Sequence, residues 1–243
     1  MSGQSKILLL DIETSPNIGY TWGKYEVDVI EFIKQWTILC FAYKWLGDET
    51  KVVARCDFPG QSEQSVLKKL WDLLDTAEVV VWQNGDKFDM RKINTRFLQF
   101  RMPPPSPYKT VDTLKVARKF AFNSNKLDDL GNDLNEGRKI KHSGFELWKG
   151  CMAGDKKSWA MMKKYNKQDV ELLERIYLRL RPWVKTHPTV SDVLDGCPKC
   201  SGDLQSRGYA CNRLMRYKRY QCNDCGGWCR DTSGEKIGEL VNV

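Results

Sequence analysis

The spacing of the cysteines near the C-terminus places the strongest constraint on how this 243-residue chain can fold. Six of the nine cysteines fall in residues 197–243, and four of them form two C-x₂-C pairs with 21 residues between the pairs. Each pair can form a tight knuckle, and four thiolates complete a tetrahedral zinc site. A segment of about 50 residues has too small a core to fold unaided. We therefore predict a zinc ribbon that holds one structural Zn²⁺ through Cys197, Cys200, Cys222 and Cys225.

The remaining five cysteines give a different signal. Cys40, Cys56 and Cys151 are scattered, while Cys211 and Cys229 lie inside the C-terminal module but outside its two pairs. We predict free thiols at these last two positions, with competition for the zinc as the alternative for one of them. The odd cysteine count, and an N-terminal apolar run that ends in acids instead of a cleavage site, favour a reducing, cytoplasmic location.

The overall composition is that of a globular protein with an excess of positive charge. The formal net charge is +8 and the pI about 8.9, a balance that favours anionic partners without identifying which ones. No apolar stretch approaches the roughly 20 residues that are needed to cross a bilayer, so we expect no membrane span.

Hydrophobic periodicity indicates an α/β domain before the cysteine module. Apolar β-rich runs give way to alternating helix and strand signals, which is typical of a mixed sheet flanked by helices. We predict strands at residues 7–11, 37–45, 51–56 and 78–82, a turn at 47–49, helices at 62–74 and 86–100, a proline-rich break at 103–107, and further helices to about residue 180.

The chain changes character after residue 182. Residues 183–196 contain one proline and few periodic signals, which is typical of a linker. We therefore predict three parts: a first domain at residues 1–182, a linker at 183–196 and the zinc ribbon at 197–243.

Two acids end the first predicted strand. Asp11 and Glu13 are separated by one residue, so the period of two places both carboxylates on the same face of the strand. Like charges in that position need a counter-ion, and oxygen ligands suit Mg²⁺ or Mn²⁺. A solvated acidic turn is the alternative, and these acids alone do not decide between the two.

A second acidic motif, NGDKFD at residues 84–89, directly follows a predicted strand. Gly85 permits a tight turn from strand to helix, and Asp89 can then project towards the carboxyl edge of the sheet. The alternatives are that Asp86 caps the helix and that Asp89 is a first-turn acid favoured by the helix dipole.

A third motif lies in a strongly helical segment. Tyr165 and Asp169 are one helical turn apart and therefore face the same way. On its own, this pair is better explained by a hydrogen bond between the two side chains. His142 and His187 show no metal-binding spacing, and we interpret both as structural.

Together the three motifs resemble the DEDD, or DnaQ-like, exonuclease superfamily, whose fold is ribonuclease H-like. In that family a first strand carries Asp and Glu, a later strand-to-helix junction carries the second Asp, and a helix carries the last Asp with His or Tyr. Here Lys164 stands at the histidine position and Tyr165 at the tyrosine position, which is similar to the DEDDy branch. The resemblance covers about residues 5–181 and extends to proofreading domains of family-B DNA polymerases and to standalone exonucleases of phage type.

The resemblance implies a metal-dependent 3′–5′ exonuclease that hydrolyses DNA, with single-stranded DNA favoured. Asp11, Glu13, Asp89 and Asp169 would hold two Mg²⁺ or Mn²⁺ ions, and Tyr165 would orient the attacking water. The substrate would be DNA or RNA, and replication or repair proteins are candidate partners. If the protein comes from a phage, it would act in the cytoplasm of the host cell. The alternatives are a ribonuclease or structure-selective nuclease with the same site, and a non-catalytic nucleic-acid-binding module.

Basic and aromatic residues alternate between the two cysteine pairs. Residues 205–220 contain no acid, and this interleaving suits phosphate contacts and base stacking, with a solvated hairpin face as the alternative. The predicted nucleic-acid contacts are Asn84 and Lys87 in the first domain, and Arg207, Arg213, Arg216, Tyr217, Lys218, Arg219 and Tyr220 in the ribbon.

Overall fold

A computed structural model describes residues 5–25, 28–48, 51–56 and 62–239. Residues 1–4 of the first predicted domain, residues 240–243 of the predicted ribbon and Glu49 of the predicted turn lie outside these ranges. None of the helices within the described ranges is both long and apolar enough to cross a membrane.

The larger of two compact units, Lys6–Ile176, is built on one mixed five-stranded sheet. Its sheet order is β5-β4-β1-β6-β7, in which β4 runs antiparallel to β1 and β5, and β6 runs parallel to β1 and β7. The predicted mixed sheet flanked by helices is therefore confirmed. The elements in chain order are β1 (Ile7–Thr14), β2 (Ile18–Tyr20), β3 (Glu31–Lys34), β4 (Ile38–Trp45), β5 (Val53–Cys56), α1 (Glu63–Thr76), β6 (Val79–Trp82), α2 (Asp89–Gln99), β7 (Lys109–Asp112), α3 (Thr113–Ala117), α4 (Leu127–Asp133), α5 (Phe145–Met152) and α6 (Lys156–Leu180), the last of which continues into the second unit.

Strand β1 is buried on both faces of the sheet, which explains its nearly continuous apolar run. Leu8, Leu10 and Ile12 belong to a core formed with helices α1 and α2. The alternate positions point to the opposite face, and these include Asp11 and Glu13. The strand therefore brings both carboxylates to one side of the sheet, as the period of two predicts.

A second core lies on the side of the sheet that carries the two acids. It contains the three cysteines that are scattered in sequence, Cys40, Cys56 and Cys151, together with Trp159 and Met162 of α6. Strand pairing places Cys40 directly opposite Cys56. The apolar face of α6 is thereby held against the same side of the sheet as the carboxylates of β1.

The structure differs from the prediction at β2, β3, β7 and α2. Strands β2 and β3 form a separate two-stranded hairpin in a segment for which the sequence analysis predicted no structure. Strand β7 follows the proline-rich break, where only helices were predicted; four residues are too few to show an alternation, and pairing with β6 stabilises the strand. Helix α2 begins at Asp89, three residues later than predicted.

The second unit comprises residue 5 and the described residues from Tyr177 onwards, and it contains a small antiparallel sheet. Strand β9 lies at the centre of this sheet and pairs with the other three strands. The first cysteine pair precedes the sheet and the second pair begins at the last residue of β9, an arrangement consistent with a zinc ribbon. The elements are a 3₁₀ turn at Arg181–Trp183, β8 (Leu204–Cys211), β9 (Met215–Cys222), β10 (Trp228–Arg230) and β11 (Glu235–Lys236).

Candidate active site

Three carboxylates from two elements converge on one side of the large sheet. One ligand oxygen from each of Asp11, Glu13 and Asp169 lies within 4.8 Å of the other two. Strand β1 supplies the first two acids and helix α6 supplies the third. Because a divalent cation takes its oxygen ligands at about 2.0–2.6 Å, three oxygens at this separation can share one ion.

Asp89 lies at the start of α2, beside this compact group but outside it. Its Oδ1 accepts a hydrogen bond from the backbone N–H of Ile12 at 3.1 Å, and its side chain is only 3% exposed. Ile12 separates the two acids of β1, so this bond fixes Asp89 against the strand. The charge of Asp89 raises the pKa of both Asp11 and Glu13, which shows that the four acids form one electrostatic group.

The turn between β6 and α2 depends on an acid that lies later in the chain. Asp112 caps α3, and its Oδ1 also accepts the backbone N–H of Asn84 at 2.9 Å. Asn84, not Gly85, has the left-handed conformation, with φ 63°. Gly85 is required for space, because a Cβ there would lie 2.0 Å from Cγ of Trp82. Asp86 does not cap α2; its carboxylate accepts Nε1–H of Trp82 at 2.8 Å.

Burial disfavours negative charge on all four carboxyls, and repulsion between these acids adds to the effect at Asp11 and Glu13. Burial, followed by the charges of the other three acids, holds the pKa of Asp11 well above its ordinary value. Burial, followed by repulsion from Asp169, raises the pKa of Glu13 to about 8, and burial raises the pKa of Asp89 to about 7. Burial also raises the pKa of Asp169, although the Lys139 ammonium opposes that shift. Bound cations would reverse these shifts, because they bind the deprotonated acids.

One carboxylate oxygen of this group is buried without a donor. Asp169 Oδ2 forms an ion pair with Lys139 Nζ at 2.6 Å, whereas Oδ1 has no hydrogen-bond partner among the described residues. Leaving a buried charged oxygen unpaired costs on the order of 1–3 kcal/mol or more. A divalent cation would satisfy it, so the residues present fit Mg²⁺ or Mn²⁺.

Lys139 is a site residue that the sequence analysis missed. Its ammonium group donates to Tyr165 OH at 2.8 Å in addition to its ion pair with Asp169. Lys139 precedes α5 in a basic run without a recognisable motif, and its backbone N–H is held by Asp128 Oδ1 at 2.7 Å. The ring of His142, from the same run, lies 4.8 Å from the Tyr165 ring between centroids. Only the fold brings this run beside the carboxylates.

Tyr165 is held in its phenolic form. Burial, followed by the negative charges of Asp169, Glu13 and Asp11, raises its pKa well above the ordinary value. At neutral pH its hydroxyl can therefore donate and accept hydrogen bonds, but it cannot act as a base.

Asn166 is a second missed residue. It is 0% exposed, and its Nδ2 donates to Asp11 Oδ2 at 2.6 Å and to the backbone oxygen of Asp11 at 3.3 Å. Its Oδ1 in turn accepts the thiol of Cys40 at 3.6 Å. These contacts fix the orientation of the Asp11 carboxylate. The helical period gave no sign of this role, because the residue after Tyr165 is rotated by about 100° around the helix axis.

A second group of side chains that could hold a metal ion lies in the cysteine module. The Sγ atoms of its four cysteines all lie within 4.8 Å of one another, with Cys197 and Cys225 at 3.7 Å and Cys200 and Cys222 at 3.5 Å. Thiolates bound to one zinc at about 2.3 Å in a tetrahedron stand about 3.8 Å apart. The four sulfur atoms therefore fit a single Zn²⁺.

The remaining predicted site residues occupy different surfaces. Cys211 and Cys229 are outside the four-cysteine group, and Lys87 is exposed beside the turn that precedes α2. Arg216 forms an ion pair with Glu235 at 2.7 Å. The predicted ribbon contacts fall on β9 (Arg216, Tyr217, Lys218, Arg219, Tyr220), on an irregularity of β8 (Arg207) and on the turn between the two strands (Arg213).

Residues 8–181 match the model of a family described as the RNase_H superfamily. The chain belongs to the RNase H superfamily. No curated protein matches the sequence. Among solved structures, the chain is similar to the family B DNA polymerase from the hyperthermophilic archaeon Pyrobaculum calidifontis, with a TM-score of 0.57 and 14% identity over 74% of this chain and 25% of the polymerase. The chain thus spans about a quarter of that polymerase's length, and at this identity the likeness shows the fold alone.

Membership of the RNase H superfamily confirms the predicted ribonuclease H-like fold and supports a nuclease that acts on nucleic acid. Nucleases of this fold use divalent metal ions, and the carboxylate group at Asp11, Glu13 and Asp169 is compatible with that chemistry. The matched range contains all four acids and Tyr165, and it ends before the cysteine module.

Proposed function

We propose that the protein is a metal-dependent 3′–5′ exonuclease that hydrolyses phosphodiester bonds of DNA, with single-stranded DNA as the favoured substrate. The observation that carries the proposal is the group formed by Asp11, Glu13 and Asp169, whose ligand oxygens lie within 4.8 Å of one another. A module that only bound nucleic acid would have no need to bury like charges whose pKa values are raised. This observation favours an enzyme over a non-catalytic binding module.

In this proposal Asp11, Glu13, Asp89 and Asp169 hold two Mg²⁺ or Mn²⁺ ions. When bound there, such ions would supply Lewis-acid chemistry, which would activate a water and offset the charge that develops on the leaving 3′-oxygen. Asn166 keeps one Asp11 oxygen engaged, so that the carboxylate has one orientation. The backbone N–H of Ile12 donates to Asp89 Oδ1 and fixes the orientation of that carboxylate in the same way.

Tyr165 and Lys139 act next to the acids in this mechanism. The Tyr165 hydroxyl orients the attacking water, and its raised pKa keeps the phenol from accepting the water's proton. Lys139 donates to the same hydroxyl and to Asp169, so it positions the phenol relative to that acid.

We further propose that the cysteine module is a zinc ribbon with one Zn²⁺ on Cys197, Cys200, Cys222 and Cys225. Four thiolate ligands leave no open coordination position, so the zinc is structural. We propose that residues 1–182 hydrolyse the substrate, that the ribbon binds it, and that residues 183–196 link the two. A reducing compartment and replication or repair partners stay predictions.

End-labelled substrates test the proposed activity directly. We expect 5′-labelled single-stranded DNA to give a ladder of progressively shorter products with Mg²⁺ or Mn²⁺ and no products without them. Single-stranded RNA and duplex DNA should be degraded more slowly. A circular single strand should resist, because an exonuclease needs an end.

The outcomes of this assay separate the competing functions. Release of a 5′-labelled mononucleotide as the first product would reverse the proposed polarity. Faster loss of RNA would favour a ribonuclease, and cutting of the circular strand would favour a structure-selective endonuclease. Absence of metal-dependent cleavage on every substrate would favour a non-catalytic nucleic-acid-binding module.

We expect Asn166→Ala to lower the hydrolysis rate roughly 10- to 100-fold while the protein stays folded, because losing a hydrogen-bonded support of a metal ligand has costs of that size. The rate should be measured in single turnover over a range of Mg²⁺ concentrations. Asn132→Ala is the matched control, since that asparagine is exposed on α4. Equal rates in both variants would show that Asn166 does not position Asp11.

A further inference from the structure

The two faces of the ribbon sheet differ in chemistry. Directly opposed residues of antiparallel strands project to the same face, so strand register assigns each side chain. Register places Arg219 of β9 opposite Arg230 of β10, and Gln221 opposite Trp228. Tyr217 alternates in phase with Arg219 and therefore shares this face. Trp228 and Arg230 come from β10, well beyond the basic stretch at residues 205–220 that the sequence singles out.

Cation–aromatic contacts join these side chains into one continuous surface. The Arg219 guanidinium lies 4.9 Å from the centroid of the Trp228 ring, and the Arg230 guanidinium lies 3.8 Å from that of Tyr217. The order along the surface is aromatic, two arginines, aromatic. We refer to Tyr217, Arg219, Trp228 and Arg230 as the arginine–aromatic strip.

The arginines of the strip carry positive charge that no carboxylate neutralises. Like charges directly opposite each other destabilise a sheet, yet neither Arg219 nor Arg230 forms an ion pair within the described part of the chain. Arg219 instead donates to the backbone oxygen of Arg207 at 3.1 Å, and Arg230 donates to that of Asp231 at 2.9 Å. These bonds orient both guanidinium groups before any ligand arrives.

The opposite face has its charges partly neutralised. Arg216 lies there with its ion-pair partner Glu235, which register places directly across from it. Asp231 accepts the hydroxyl of Tyr220 at 3.4 Å on the same face. The strands assign no acid to the face of the strip within the described residues, so the two faces differ in net charge.

We infer that the arginine–aromatic strip is a docking surface for single-stranded nucleic acid. The two guanidinium groups bind the phosphates of the strand, and unpaired bases stack on Trp228 and Tyr217. Trp228 is 48% exposed, which leaves ring surface for a base. The inference rests on the proposed function only in taking nucleic acid as the ligand. It assigns binding to the strip in place of Arg216, Lys218 and Tyr220, which composition alone predicted as contacts and which lie on the opposite face.

Charge alone would also admit an acidic peptide, but the strip favours nucleic acid. A peptide carboxylate can neutralise an arginine, yet it presents nothing flat to the two rings. A strand of nucleic acid presents both anionic phosphates and planar bases, which match the two guanidinium groups and the two rings of the strip.

Binding to fluorescent ligands tests the inference with the full-length protein. Anisotropy is measured without Mg²⁺ or Mn²⁺ on a thymidine oligonucleotide, an abasic deoxyribose-phosphate oligomer, a DNA duplex and a glutamate peptide. Affinity falls as salt rises, and for a single strand each phosphate contact adds about 0.7 to the steepness of log affinity against log salt. Arg219→Ala/Arg230→Ala should therefore make this dependence shallower by roughly 1.4. Arg216→Ala/Lys218→Ala removes the same charge from the other face and should leave the slope nearly unchanged.

Stacking is tested separately from charge. Trp228→Ala should weaken binding of the thymidine oligonucleotide roughly tenfold, within the range for loss of one stacked base, and should leave the abasic oligomer unaffected. Trp228→Phe keeps a ring and should restore most of the affinity, which guards against misfolding as the cause. One zinc per chain in every variant is the second guard.

Several results would overturn the inference. The first is a loss of salt dependence in Arg216→Ala/Lys218→Ala as large as in Arg219→Ala/Arg230→Ala. The second is an effect of Trp228→Ala on the abasic oligomer as large as on the thymidine oligonucleotide. The third is binding of the glutamate peptide as tight as that of the oligonucleotide. Because no hydrolysis is measured, an inactive carboxylate site would leave all three comparisons unchanged. Failure of the strip and failure of the proposed exonuclease activity are therefore distinguishable.

Discussion

Replacing Asp11 with Asn should abolish hydrolysis and, in the same protein, raise the stability of the metal-free form at alkaline pH. The side chain is the same size, and the Nδ2 donor of Asn166 can still reach an oxygen at this position. The variant lacks one ligand charge at the site where Glu13 and Asp169 converge. We expect the single-turnover rate to fall roughly 10³-fold or more, since preorganised charge at a reacting centre contributes on that scale.

The stability gain follows from the raised pKa of Asp11. Between its ordinary pKa and the raised one, the folded protein binds more protons than the unfolded chain, so the wild-type protein loses stability as pH rises through that window. At pH 4, close to the ordinary pKa of an aspartate, little of this stability has yet been lost, and the two proteins should unfold nearly alike. At pH 8, without divalent metal, Asp11→Asn should melt higher, by roughly 2–4 °C for each kcal/mol of relieved repulsion.

Melting curves at pH 4 and pH 8, with and without Mn²⁺, measure this effect. Mn²⁺ should stabilise the wild-type protein more than the variant, because the ion binds the deprotonated acids. Asp133→Asn is the matched control; this acid is exposed on α4, and its removal should change neither rate nor melting temperature. Cleavage by Asp11→Asn within tenfold of the wild-type rate would remove Asp11 from the metal site.

Replacing Cys222 with Ser should remove the zinc and unfold the ribbon without stopping hydrolysis. Cys222 ends β9 and is one of the four clustered cysteines, so the substitution breaks the ligand set. The apparent free energy of zinc binding in small structural sites is about 10–16 kcal/mol, which exceeds what a sheet of four short strands can supply by itself. We expect less than one zinc per chain and rapid proteolysis within residues 197–239.

The exposed Cys211 provides the control for this substitution. Cys211→Ser changes another cysteine of the same module, one that lies outside the cluster, and should keep one zinc per chain and full resistance to protease. In Cys222→Ser, single-turnover cleavage at saturating protein should persist, because all four acids lie in the Lys6–Ile176 unit. A folded, zinc-free Cys222→Ser ribbon would show that the metal is not structural.

Several features of this chain could be predicted from spacing within one element. The alternation of β1 was enough to place Asp11 and Glu13 on one face, and the helical turn from Tyr165 to Asp169 was enough to place those two side chains together. The C-x₂-C pairs were enough to predict the four-cysteine group. In each case the geometry of one strand, helix or knuckle relates the residues, so a few neighbouring letters contain the information.

Other features depend on contacts between distant segments. Lys139 reaches Asp169 and Tyr165 from a loop without a motif, and Asn166 contacts Asp11 although it is 155 residues away in sequence. Asp112 both caps a helix and holds a turn that lies earlier in the chain. Such contacts follow from sheet order and helix packing, which local periodicity does not report.

The ribbon shows the same limit on a smaller scale. Its composition predicted a basic and aromatic module, but strand pairing distributed those residues over two faces. Pairing of β9 with β10 brought Trp228 and Arg230 beside Arg219, from beyond the second cysteine pair. Register joins residues that are neighbours in space and not in sequence, so the composition of one stretch could suggest a kind of ligand but not which residues share a surface.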